Sequence, residues 1–112
     1  MLRGSGKHTG RDYGFEGIVA GAGGSGVGHE QALLAFADAA VGATKQLAAA
    51  RSAVLRELGE AAMLDAAAVI GGFDAITRVA DGTGIPLEEA KAEATAEWRA
   101  ELRIDDFWKM KV

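Results

Sequence analysis

Three glycines, Gly21, Gly23 and Gly26, spell G-x-G-x-x-G after the apolar triplet Ile18-Val19-Ala20 and ahead of a helical pattern. In a dinucleotide-binding fold such glycines allow a tight turn and let the backbone approach a pyrophosphate. That chemistry also requires a second strand ending in an acidic residue about twenty residues on. The alanine-rich stretch Lys45 to Leu58 occupies that place instead. A nucleotide-binding module through Gly21, Gly23 and Gly26 is therefore an alternative reading, carried by the motif without its βαβ context.

A second constellation is Asp74, Arg78 and Asp81. Their spacings of four and three residues put all three on one helix surface. They predict either an ion-pair cluster at a helix end or a polar group lining a cavity or subunit interface. The two histidines, His8 and His29, lie in a glycine-rich segment with no H-x-x-H, H-E-x-x-H or carboxylate cluster beside them. No metal site is expected from them, and no cofactor is implied. The chain has no cysteine. Disulfides, thiolate metal ligation and sulfur nucleophiles are all excluded together.

The rest of the composition narrows the partners. With 12 basic and 16 acidic residues, the net charge is −4 and no basic stripe stands out. Nucleic acid is not expected as a partner, because phosphate neutralisation supplies most non-specific affinity. Arg3, Lys7 and Arg11 read as solvated charges. Uninterrupted apolar or glycine runs such as Ala66 to Phe73 reach only eight residues, against the ~20 that span a bilayer. Residues 1–15 lack the apolar core of a secretory signal. A cytoplasmic location and no membrane partner are the expectations.

The elements that must position these residues are helices. Ten of the sixteen glycines fall in the first thirty residues, so residues 1–29 read as an irregular segment and the helical domain as residues 30–112. Leu33, Phe36, Ala37, Ala40 and Val41 form one helical stripe, which predicts a helix from Glu30 to Val41 stopped by Gly42. A second helix is expected from Lys45 to Leu58, with Leu47, Val54, Leu55 and Leu58 inward and Gly59 as the stop. The third, Glu60 to Asp81, carries only one charge, Asp65, between Ala61 and Phe73. A helix apolar nearly all round is expected to be central and buried on several sides.

Gly71 and Gly72 sit inside that third helix, each at a cost of up to ~1 kcal/mol relative to alanine. They predict close approach of another backbone, from this chain or from a partner. Pro86 suits the first turn of a fourth helix reaching Leu102, with Leu87, Ala90, Ala94 and Trp98 on a common face. The tail, Ile104 to Val112, carries Phe107, Trp108 and Met110 and is expected to dock on the domain or a neighbour. About eighty residues make a small core, and small domains often gain stability by oligomerising.

Three stretches resemble the carboxymuconolactone decarboxylase family, which includes the alkylhydroperoxidase AhpD-like proteins. They are residues 32–39, ALLAFADA; residues 55–61, LRELGEA; and residues 70–87, IGGFDAITRVADGTGIPL. The resemblance covers about half the chain and matches the family's C-terminal half. It implies an all-α, AhpD-like bundle of about four helices that forms homo-oligomers. Peroxidase members carry C-x-x-C-x-x-x-H. Aligning His8 with the motif histidine puts Met1 and Gly4 at the cysteine positions, and neither forms the thiolate that reduces peroxide. The glycine-rich stretch 14–28 also departs from the family, where a helix and turn are expected. The resemblance therefore implies a domain without peroxidase activity that serves as an oligomerising or interaction module, or a fragment of a longer domain. The enzymatic alternative is a cofactor-free decarboxylase of a small carboxylated lactone, with His8 as general acid or base.

Overall fold

The computed structural model describes residues 7–14, 17–18, 21 and 23–109, the last three by backbone only. Helices form where the apolar pattern has helical spacing. They are α1 (Glu30–Val41), α2 (Leu47–Leu58), α3 (Glu60–Thr83), α4 (Glu89–Glu101) and α5 (Ile104–Lys109). The described residues contain four main helices and no strand, an all-helical architecture. Residues 7–9 and 17–18 are helical too, within the segment expected to be irregular. No described helix is long and apolar enough to cross a membrane.

Glycines close three of the helices, α1 at Gly42, α2 at Gly59 and α3 at Gly84, the last two with positive φ. Gly59, at φ 87°, donates its N–H to the Leu55 carbonyl at 3.0 Å, and its own carbonyl accepts from Met63 at 3.1 Å. One residue thus ends α2 and starts α3. Gly84, at φ 66°, caps α3 by donating to the Ala80 carbonyl at 2.9 Å. α3 therefore runs two residues past the expected end at Asp81.

α1, α2 and the first half of α3 pack together. Phe36 and Ala39 of α1 meet Ala50 and Val54 of α2 to form the buried centre, and Val54 is fully enclosed. Leu33, Leu47, Leu58, Met63 and Ile70 pack around it, half-buried. Ala39 takes a core place that the stripe gave to Val41, and both Val41 and Leu55 are exposed. Burying a side chain such as Phe36 or Val54 contributes about 1.5–3 kcal/mol. Few residues contribute at that level.

α3 is not buried on several sides, because it outruns its neighbours. Its 24 residues extend about 36 Å, whereas the 12 residues of α1 or α2 extend about 18 Å. Met63, Ala66 and Ile70 face the core, and none of α3 is buried. The second half projects toward α4 and α5, which pack against each other.

α4 begins at Glu89, three residues later than Pro86. Ile85, Pro86 and Leu87 line a groove against Ile76 and Ala80 of α3, and Glu88 at the N-cap is extended (ψ 138°). The proline φ suits this extended path as well as a helical one. Because Leu87 lies outside α4, it sets no helical phase. Thr95, Trp98, Arg99 and Leu102 are half-buried, whereas Ala90 and Ala94 are exposed. The expected docking of Phe107, Trp108 and Met110 concerns side chains outside the described residues.

Candidate functional site

The glycine-rich turn before α1 is built around one carboxylate. Glu30, the first residue of α1, accepts hydrogen bonds from the backbone N–H groups of Gly24 and Ser25, the latter at 2.7 Å, and from the Ser25 hydroxyl. Ser25 is buried, and its Oγ also accepts the Val27 N–H at 3.2 Å. The Ser25 hydroxyl bond, followed by the two backbone N–H bonds, holds the Glu30 carboxyl below its ordinary value, against a smaller opposing effect of burial. Its place in the first helical turn favours the anion as well.

Of the three motif glycines, only Gly23 stands against this carboxylate. Gly21, Gly23 and Gly26 all have positive φ, at 66°, 77° and 85°. A Cβ on Gly23 would stand 2.6 Å from Glu30 Oε1, and one on Gly26 would stand 2.9 Å from the Asp12 carbonyl. The turn is an anion cradle in form, and the chain's own Glu30 occupies it.

His29 precedes Glu30 in a left-handed conformation, φ 56° and ψ 24°. Its Nδ1 lies 3.3 Å from Glu57 Oε2 on α2, and the other Glu57 oxygen lies 3.5 Å from Arg56 Nη2. Val27, His29, Gln31, Ala53 and Glu57 line an open cleft of about 560 Å³. A carboxylate on Nδ1 orients an imidazole and leaves Nε2 to exchange a proton. This pair joins residues 28 apart in sequence, and neither neighbourhood carries a short-range signal for it.

The other candidate residues are dispersed. His8 is exposed, with no hydrogen bond or ion pair among the described residues. Met1 and Gly4 lie outside the described residues. Arg78 Nε donates to Asp74 Oδ2 at 3.1 Å, as the four-residue spacing predicts, on a largely exposed stretch of α3. Asp81 is exposed one turn further on. Nothing lies within 4 Å of a Cβ built on Gly71 or Gly72. No backbone among the described residues approaches them, other than that of α3 itself, so the described chain does not supply the close approach expected there. No group of three or more metal-ligating side chains occurs among the described residues.

A second groove, about 670 Å³, lies between the end of α3, the 85–88 segment, α4 and α5. Ile76, Ile85, Leu87, Trp98 and Ile104 make it mainly apolar. Arg99 lines it, with its shielded Nε 3.5 Å from Asp105 Oδ1 and without a hydrogen bond.

No protein-family model, curated protein or solved structure matches the chain.

Proposed function

We propose that this chain is a helical assembly module, similar to the C-terminal half of an AhpD-like domain, that acts by associating with other chains rather than by thiol catalysis. The observation that carries the reading is α3, a long apolar helix without a single buried residue. Val69, Phe73, Ile76 and Val79 are each more than half exposed. Contiguous apolar surface of this kind marks association sites. The absence of cysteine removes the redox chemistry of the peroxidase members. Sedimentation equilibrium tests the reading. Association that strengthens with concentration is expected, and one ideal 11.5 kDa species at all concentrations would contradict it.

One observation favours a second reading, an acid–base enzyme. The His29–Glu57 pair at the cleft has the arrangement of an oriented general base, which exposed His8 lacks. On this reading His29 moves a proton on a small substrate in the cleft. Any decarboxylase activity found on a carboxylated lactone should then fall at least 10²-fold in His29→Ala and stay unchanged in His8→Ala. The reverse pattern would assign the chemistry to His8.

A further inference from the structure

The second half of α3 bears one face that the chain leaves uncovered. Val69, Phe73 and Ile76 stand at i, i+4 and i+7, which aligns them on a single side. Their exposures are 59%, 52% and 67%. Two apolar grooves flank the stripe. Val69 and Phe73 border one of about 410 Å³ with Val41. Ile76 borders the 670 Å³ groove with Ile85 and Leu87. α3 and the segment after it supply seven of the nine large apolar side chains exposed among the described residues.

The amount of surface left open points to a partner of substantial size. The chain exposes 8349 Å², whereas a compact monomer of 11.5 kDa exposes about 5800 Å². The excess is roughly 2500 Å²; it is spread over residues 7–12 and α4 as well as α3, and it leaves room for the ~800 Å² that each side contributes to a standard interface. A core of four buried apolar residues among the described residues leaves the chain dependent on that additional burial.

Charge argues for what the partner is. No charged residue lies between Ala66 and Phe73. The flanking charges are Asp65, one turn before Val69 on the same side, and Asp74 with Arg78, which pair at 3.1 Å. Packed antiparallel in the register that sets Val69 against Ile76, Asp65 of one copy faces Ala80 of the other and not its own counterpart, so two such faces meet without like-charge repulsion. A two-fold axis also suits the pattern. With the axis crossing α3 between Gly72 and Phe73, antiparallel helices exchange Val69 and Ile76 across it, and the open space at Gly72 lets the backbones approach.

We infer that the Val69–Phe73–Ile76 face of α3 is the contact between two copies of this chain, packed antiparallel about an axis near Gly72. This rests on the reading that the chain works by association, and it adds the surface and the partner.

The cysteine-free sequence permits a direct test. Gly72→Cys is placed at the proposed axis, in a helical and uncrowded position, and Leu55→Cys on the exposed side of α2 is the control. Mild oxidation of the full chain should join most of the Gly72→Cys protein into a disulfide-linked pair and little of the Leu55→Cys protein. Cross-linking at Leu55→Cys alone would overturn the assignment. So would no cross-linking in either variant while the unsubstituted chain still sediments as an oligomer. If the unsubstituted chain sediments as a monomer, the association reading itself fails.

Discussion

Val69 and Ile76 stand two turns apart on the same side of α3, and both are more exposed than not, in a helix whose sequence predicts a core element. The local pattern and the tertiary environment disagree there. The disagreement is resolved if the environment is completed by a second copy, and the consequences reach stability as well as assembly.

The two phenylalanines Phe36 and Phe73 should respond in opposite ways. Phe36 is 4% exposed at the meeting of α1 and α2, so Phe36→Ala should cost about 3–5 kcal/mol and leave little folded protein. Phe73→Ala should change the stability of the isolated chain by no more than about 0.5 kcal/mol while weakening association. Urea unfolding at low concentration, paired with sedimentation, checks both. Equal loss of stability in the two variants would contradict the burial described.

Thermal stability should depend on protein concentration. If folding and pairing are coupled, a tenfold increase in concentration adds up to about 1.4 kcal/mol and raises the melting temperature. Circular dichroism melts over two decades of concentration measure this. Superimposed melts would indicate that pairing contributes nothing to the fold.

The glycine-rich turn should carry an acid-sensitive contact. The folded-state pKa of Glu30 is lowered from 4.5, so its contribution is fully present above 4.5. It is lost as pH falls through the folded-state value. The amide chemical shifts of Gly24 and Ser25 should titrate with a midpoint below 4.5, and Glu30→Gln should abolish the titration. A midpoint at or above 4.5 would show that the carboxylate is not held by the turn.

Two glycines in and after α3 should differ in sign. Gly71 is helical with open space around a built Cβ, so Gly71→Ala should stabilise the chain by up to about 1 kcal/mol. Gly84 caps the helix at φ 66°, and Gly84→Ala should destabilise it by roughly 1 kcal/mol. Chemical denaturation of the two variants side by side decides this.

The helices were largely legible because their signals are local. Apolar spacing marked α1, and Gly42, Gly59 and the Asp81–Gly84 cluster marked the stops. Spacing also marked the Asp74–Arg78 pair, because a four-residue separation on a helix is itself a geometric statement. Packing was less legible. Apolar composition predicted a buried α3, but burial depends on the length of neighbouring helices, and α1 and α2 are half as long. The delayed start of α4 was not legible, because Pro86 suits the extended path up to Glu88 as well as a first helical turn. His29–Glu57 was invisible for a similar reason, since only the packing of α1 on α2 brings the two together. At Glu30 the sequence showed a phosphate-type glycine pattern but not that the chain supplies its own anion.

Pairing of the uncovered side of α3 with itself sets the mass of the chain in solution. Light scattering on size-exclusion fractions of the unsubstituted chain and of Phe73→Glu tests it most directly. About twice 11.5 kDa is expected for the first and 11.5 kDa for the second, with helicity unchanged. The same oligomeric mass for both proteins would contradict it.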